Sequence, residues 1–203
     1  MQIGGFLPLS LCDFPGKVSS VVFTQGCNFR CPFCHNHGLI EGKPAIAITV
    51  DDILQDLEER SGFVDGVVIS GGEPTLHADL KDLIVKIRSL GLAIKLDTNG
   101  SRPEVLRELL ESRLLDYVAM DVKASFDRYE ILAGVPIDVQ VIRESIAIIS
   151  EAGIPCQFRT THVPALLSTD ELATIQGCLP AGCSLHIQKC QPEHALNPTM
   201  CNQ

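Results

Sequence analysis

The chain has 203 residues, a formal net charge of −9 at pH 7 and 45% hydrophobic residues. This composition is typical of a folded domain and excludes a disordered chain, and the acidic charge argues against non-specific binding to nucleic acid. No apolar run approaches the roughly 20 residues of a membrane span, and the N-terminus lacks the regions of a signal peptide. We therefore expect a cytoplasmic protein.

Apolar runs alternate with amphipathic segments along the chain. The amphipathic segments carry helix signals such as Thr49 at an N-cap position and Pro103 at a first helical position. The runs predict six strands, at 18–24, 66–70, 92–100, 117–123, 156–163 and 184–192. The segments between them predict five helices, at 49–60, 78–91, 103–112, 139–153 and 169–178.

Strands that alternate with helices indicate an α/β fold with a parallel sheet. A closed (β/α)8 barrel takes eight units and about 250 residues. Six units in 203 residues favour an open, partial (β/α)6 barrel, with a doubly wound sheet as the alternative. We expect one domain, with an N-terminal extension at 1–17, a β/α core at 18–192 and a C-terminal tail at 193–203.

Polar and glycine-rich motifs follow the predicted strands. A cysteine loop follows the first strand, SGGEP the second and DTNG the third, and charged or polar residues end the other three. Because the carboxyl ends of parallel strands share one edge of the sheet, these motifs are predicted to form one active-site face.

Cys27, Cys31 and Cys34 form a C-x3-C-x2-C cluster. The CPFC segment alone is typical of a redox pair but leaves Cys27 unexplained, and CPFCH matches a haem attachment pattern that normally accompanies export. A closed zinc site would add His35 or His37. An iron–sulfur cluster with three thiolate ligands would instead keep one iron open for a substrate or cofactor.

The other six cysteines have no ligand-like spacing. Free cysteine is often buried, so we interpret them as buried or incidental thiols. They are Cys12, Cys156, Cys178, Cys183, Cys190 and Cys201.

The motifs together resemble a known family. C-x3-C-x-aromatic-C, with Phe33 as the aromatic residue, is the signature of the radical S-adenosylmethionine (SAM) enzymes. Over about residues 2–164 the chain resembles the anaerobic ribonucleoside-triphosphate reductase activating proteins. The segments that carry this resemblance are GGFLPLSLCDFPGK, VVFTQGCNFRCPFCHN, DGVVISGGEPTL, KLDTNGS, DYVAMDVKA and FRTT.

The resemblance implies an oxidoreductase with a [4Fe–4S] cluster on the three cysteines and SAM on the open iron. Gly71, Gly72 and Glu73 of SGGEP match the motif that binds the SAM amino group. Glycine allows backbone carbonyls to approach an ammonium closely, and the glutamate adds a negative charge.

The same resemblance implies the other SAM contacts. Asp97 and Thr98 match residues beside the SAM carboxylate, and Asp121 matches a second oxygen ligand of a monovalent cation there. Two buried carboxylates close together are unfavourable without a cation, so we expect such a site. Contacts with SAM are further expected from Lys123, Arg159, Phe33 and His35, the last two on the adenine side.

The implied substrate is a glycine in a loop of a partner enzyme, the anaerobic ribonucleotide reductase, and the expected electron donor is flavodoxin or ferredoxin. Three alternatives stay open at this point. The chain could activate another glycyl-radical enzyme of the pyruvate formate-lyase type, or be a small-molecule enzyme of the 7-carboxy-7-deazaguanine synthase type. From a different class, it could be a non-catalytic zinc-binding module.

Overall fold

The computed structural model describes residues 1–42 and 47–201, and it contains one sheet flanked by helices. The strands are β1 (Ile3–Ser10), β2 (Ser19–Thr24), β3 (Gly66–Gly71), β4 (Ala93–Thr98), β5 (Tyr117–Asp121), β6 (Cys156–His162) and β7 (Leu185–Lys189). The helices are α1 (Val50–Glu59), α2 (Leu80–Ser89), α3 (Pro103–Glu111), α4 (Tyr129–Ala133), α5 (Val139–Glu151), α6 (Thr169–Gly177) and α7 (Pro198–Cys201).

The strands lie side by side in chain order, from β1 to β7. β2 to β7 are parallel, and β1 pairs antiparallel with β2. A doubly wound sheet would reverse its strand order near the middle, so that alternative is wrong. The prediction of an open (β/α)6 barrel is confirmed, because β1 and β7 are the two edges of the sheet and do not pair.

The helices cover the outer face of the sheet with their apolar sides. In α1, for example, Ile53 and Leu57 are buried against the sheet, whereas the acidic Asp51 and Glu58 are exposed to water. Thr49 caps this helix through a capping box with Asp52, as its sequence position predicts. The core between sheet and helices is built mostly from Ile, Leu and Val side chains.

The N-terminal segment is part of the sheet and also fills the inside of the barrel. After β1 the chain turns so that Phe14, 3% exposed, packs inside against Val21, Val68 and Tyr117. The extension expected at 1–17 therefore supplies both an edge strand and a plug at the amino end of the parallel strands.

The C-terminal tail returns to the opposite end of the barrel. The peptide N–H groups of Leu196 and Asn197 donate to the carbonyl oxygens of Cys34 and Pro32, at 3.0 and 2.8 Å. The tail therefore packs on the cysteine loop. Within the described residues, no helix is long and apolar enough to cross a membrane.

The packing of Phe14 leads to a stability prediction. Phe14→Ala should lower the free energy of unfolding by about 3–5 kcal/mol, because it leaves a cavity inside the barrel. Phe63 is 79% exposed, so the control Phe63→Ala should change it by less than about 0.5 kcal/mol. Urea unfolding of the two variants measures the free energies of unfolding, and equal losses in both would contradict the packing of Phe14 inside the barrel.

Candidate functional site

The ends of the parallel strands meet at one cavity of about 420 Å³. Twelve of the thirteen residues predicted for the site line this cavity, and Glu73 is the one that does not. The twelve are Cys27, Cys31, Phe33, Cys34, His35, Gly71, Gly72, Asp97, Thr98, Asp121, Lys123 and Arg159.

The cysteine loop is held in place from below by α4. In the loop, the peptide N–H of Arg30 donates to the carbonyl oxygen of Ala133 of α4 at 2.7 Å. The ring of Phe29 in the loop packs edge-on against the ring of Tyr129 in α4. Gly134 ends the helix with φ +70°, and a Cβ there would lie 2.2 Å from the carbonyl oxygen of Arg30. Only glycine allows the loop to approach the helix end this closely.

The three thiols are removed from water to different degrees. Cys31 is buried, and Cys27 and Cys34 are partly buried. Burial raises the pKa of all three, that of Cys31 to about 12. Metal ligation therefore requires that these thiols lose protons on binding.

The donor set fits an iron–sulfur cluster. Three thiols on one short loop face one cavity, and thiolates are the usual ligands of iron–sulfur clusters. Among the described residues, no group of three or more His, Cys, Asp and Glu side chains has the geometry of a single-ion site.

The two glycines of SGGEP bring backbone to the cavity wall. Gly71 has φ +112°, and a Cβ on Gly72 would lie 2.0 Å from the carbonyl oxygen of Gly26. The peptide N–H of Glu73 donates to that same oxygen at 2.8 Å. The two glycines therefore place the end of β3 directly against the start of the cysteine loop.

Glu73 does not line the cavity, and its expected ligand contact stays a prediction. Its carboxylate is fully buried and accepts four hydrogen bonds. The donors are the N–H and hydroxyl of Thr75, the hydroxyl of Thr98 and the N–H of Asn99, at 2.5–3.1 Å. Burial raises the pKa of Glu73, and these hydrogen bonds oppose that rise. The side chain thus joins the β3 and β4 loops.

The DTNG turn is also joined to the cysteine loop. The side-chain amide of Asn99 donates to the side-chain oxygen of Asn28 at 2.9 Å, and Asn28 donates to the Ser101 hydroxyl at 2.9 Å. Three strand-end loops are therefore connected by hydrogen bonds between polar side chains.

A row of alternating charges lies on the inner face of the barrel. Arg159 donates to Asp121 at 2.8 Å and to Asp97 at 3.1 Å, so its guanidinium lies between the two carboxylates. Lys95 pairs with Asp97 at 2.5 Å, and Lys123 pairs with Asp121 at 3.1 Å. Burial raises the pKa of Asp121, but Arg159 and Lys123 outweigh it and hold this pKa well below its ordinary value.

This arrangement removes the electrostatic reason given for a monovalent cation. The two carboxylates are compensated by three cationic side chains, Arg159, Lys95 and Lys123. The cation itself stays a prediction.

Phe33 and His35 lie on the two sides of Cys34. Phe33 is buried with the ammonium of Lys123 over its ring at 5.9 Å, whereas His35 is exposed. The Nε2 of His35 accepts a hydrogen bond from the N–H of Gln191 at 3.0 Å, and the partial shielding of the ring from water lowers its pKa. His35 therefore joins the cysteine loop to the C-terminal tail.

Several cavity residues were not predicted from the sequence. Ser70 and Thr161 lie two residues from Gly72 and Arg159, so the period of a strand could have revealed them. Asp13 reaches the cavity only because the N-terminal segment folds into the barrel, and no local pattern signals this.

The family model described as the radical SAM superfamily matches residues 21–173. A Methanocaldococcus jannaschii protein provisionally named a glycyl-radical enzyme activating enzyme is 37% identical over 203 aligned positions, which cover 95% of this chain and 81% of that protein. The pyruvate formate-lyase 1-activating enzyme of Escherichia coli K12 is 32% identical over 143 positions, which cover 66% of this chain and 57% of that enzyme.

Solved structures share the fold. The crystal structure of Streptococcus suis SuiB bound to S-adenosylmethionine aligns with a TM-score of 0.66 at 16% identity. The alignment covers 84% of this chain and 40% of that one.

The contact between α4 and the cysteine loop can be tested with two glycines of equal φ. Gly134→Ala should lower the free energy of unfolding by about 2–4 kcal/mol, since the new methyl group meets the Arg30 carbonyl. Gly153 also has φ +70° but has no neighbouring atom within 4 Å, so Gly153→Ala should lower it by about 1 kcal/mol. Chemical denaturation of the cluster-free protein measures both, and equal losses would argue against the contact.

The role of Glu73 as a buried acceptor also predicts a stability loss. Glu73→Gln replaces one carboxylate oxygen by an amide NH2 that faces a donor, which should lower the free energy of unfolding by about 1–3 kcal/mol. The exposed Glu58→Gln serves as control and should be near neutral. Thermal unfolding would refute the role of Glu73 if both variants matched the unmodified protein.

Proposed function

Because the chain belongs to the radical SAM superfamily and to its glycyl-radical enzyme activating enzymes, we propose that it activates the anaerobic ribonucleoside-triphosphate reductase. In this reaction SAM is cleaved reductively, and a hydrogen atom is removed from a glycine of the reductase. The observation that carries the proposal is a loop of three thiols that faces the same cavity as SGGEP, DTNG and Arg159.

Cys27, Cys31 and Cys34 would hold the [4Fe–4S] cluster. When bound, the cluster would supply the one electron for reductive cleavage of the SAM C–S bond, which yields methionine and a 5′-deoxyadenosyl radical. Cys31 and Phe33 are both buried, and they would shield the bound cluster from water.

The rest of the cavity wall would orient SAM. The volume of the cavity, about 420 Å³, lies in the range of small-molecule sites. The backbone at Gly71 and Gly72 would face the ammonium group, while Arg159 and Lys123 would face the carboxylate. Glu73 contributes as a positioning residue through Thr98 and Asn99.

The open barrel supports a polypeptide substrate. The cavity is lined from β2 round to β7, and the sheet does not close between β7 and β1. A loop of a partner protein would therefore reach the cavity from the side.

A second candidate partner is a pyruvate formate-lyase type enzyme. The similarity to the Escherichia coli activating enzyme favours this function over about two thirds of the chain. A 7-carboxy-7-deazaguanine synthase of Hyperthermus butylicus also matches, at 37% identity over 99 positions, which keeps a small-molecule substrate as the remaining enzymatic alternative.

The cluster ligands are tested by single substitutions. Cys27→Ala, Cys31→Ala or Cys34→Ala should abolish formation of 5′-deoxyadenosine from SAM under dithionite, because each removes a ligand of the cluster. The exposed Cys12→Ala should retain it. Protein that binds one zinc after anaerobic treatment with iron and sulfide, and that never cleaves SAM, would instead establish the zinc-binding module.

The partner is tested by electron paramagnetic resonance. We expect the doublet of a glycyl radical when reduced protein and SAM are mixed with the anaerobic ribonucleotide reductase, supplied with flavodoxin or ferredoxin as the physiological donor. A doublet with pyruvate formate-lyase alone would reassign the partner. The absence of a doublet with either enzyme, despite SAM cleavage, would favour the small-molecule alternative.

A further inference from the structure

β7 is an edge strand whose outer backbone groups can be identified one by one. In a strand, the N–H and C=O of one residue point to the same side, and those of the next residue point to the other side. The N–H of Cys190 donates to the carbonyl oxygen of His162 on β6, at 3.3 Å. The parallel register runs without a shift from Phe158–Leu185 to His162–Lys189, so the alternation continues along the whole of β7. Residues 186, 188 and 190 therefore face β6, and residues 185, 187 and 189 face away from the sheet.

The outward N–H groups on both sides of residues 187–189 are already hydrogen-bonded to side chains of this chain. At the start, the Gln176 side chain accepts from the N–H of Leu185 at 2.7 Å and donates to the carbonyl oxygen of Cys183 at 2.9 Å. Beyond the end, His35 accepts from the N–H of Gln191 at 3.0 Å. These side chains occupy the positions that a neighbouring strand would otherwise take.

Ile187 and Lys189 lie between the two covered ends. Within residues 1–42 and 47–201, no backbone or side-chain group forms a hydrogen bond with the outward N–H or C=O of either residue. Both are exposed, and the apolar Ile187 side chain is 51% exposed. The edge of the sheet is thus open over one short interval, with four free hydrogen-bonding groups.

The open interval borders the cavity. Gln188, which lies between the two open residues, lines the cavity together with Thr161. A strand added at this edge would lie about 4.8 Å from β7, and its residues opposite Gln188 would face the inside of the barrel. The interval is therefore continuous with the site that contains the cysteine loop.

We propose that Ile187 and Lys189 are a docking edge that pairs, as an added β-strand, with an extended segment of the polypeptide substrate. The segment would exchange backbone hydrogen bonds with these two residues, as in other cases of strand addition. Alternate side chains of the segment would then face the cavity. This inference rests on the proposed function and specifies how the partner is held.

The shortness of the open interval favours this occupant over a second copy of the chain. Two edge strands that pair in a dimer need a continuous row of free groups, whereas Gln176 and His35 already bind the outward N–H groups of Leu185 and Gln191 on either side. A short extended segment needs to form hydrogen bonds with only these two residues of β7.

Lys189→Pro tests the docking edge against the matched control Lys189→Ala. Both remove the lysine side chain, but only proline removes the outward N–H, and proline is tolerated on an edge strand when its N–H side faces solvent. The probe is a labelled synthetic peptide that spans the glycine loop of the anaerobic ribonucleotide reductase. Its dissociation constant is measured by fluorescence anisotropy with cluster-reconstituted protein and SAM.

We expect Lys189→Ala to bind within about twofold of the unmodified protein, and Lys189→Pro to bind roughly three- to tenfold more weakly, the effect of one lost hydrogen bond. Equal affinity of the two variants would overturn the docking edge and leave the proposed function intact. No peptide binding by the unmodified protein, together with no glycyl radical on the whole reductase, would overturn both. Self-association that Lys189→Pro abolishes would assign the edge to a second copy instead.

Hydrogen exchange provides a readout that does not depend on the folding of a variant. Peptide addition to the unmodified protein should slow amide exchange at Ile187 and Lys189, whereas the amide of Gln188, which already faces β6, should change little. Unchanged exchange at both outward amides, with peptide bound, would overturn the docking edge.

Discussion

A carboxylate removed from water needs hydrogen-bond donors on all sides, and the site is arranged around this requirement at Glu73. Its four donors come from its own loop and from the DTNG turn, while its backbone N–H reaches the carbonyl oxygen of Gly26 at the start of the cysteine loop. Three loops that follow three different strands are therefore fixed to one buried group. The cavity in front of them keeps its shape because the side chain that supports it faces the protein interior.

An open barrel of six parallel strands leaves its inner face uncovered unless other segments cover it. At the amino end Phe14 and Tyr117 fill the space with aromatic rings, and above them Lys95, Asp97, Arg159 and Asp121 compensate one another's charge. At the carboxyl end the C-terminal tail packs on the cysteine loop. The side between β7 and β1 stays open, which suits a substrate that enters from outside the barrel.

Apolar runs predicted all six parallel strands, of which β2 and β3 are buried on both faces, and the hydrophobic periodicity of the segments between them predicted the five longer helices, which bury one face. It did not predict β1, whose sequence IGGFLPLS contains two glycines and a proline that weaken any strand pattern. It also did not predict α4, because five residues are too few to show a helical period. Both elements matter for the site, since β1 leads to Phe14 and α4 supports the cysteine loop.

The sequence by itself determined which motifs share the active-site face, because the carboxyl ends of parallel strands always lie at the same edge of a sheet. Twelve of thirteen predicted residues line one cavity for this reason. Only the tertiary structure decided that Glu73 faces inward, that Arg159 lies between two carboxylates, and that Gln176 and His35 limit the open edge of β7. These features depend on side-chain directions and on contacts between residues far apart in the chain, and local sequence patterns carry no information about either.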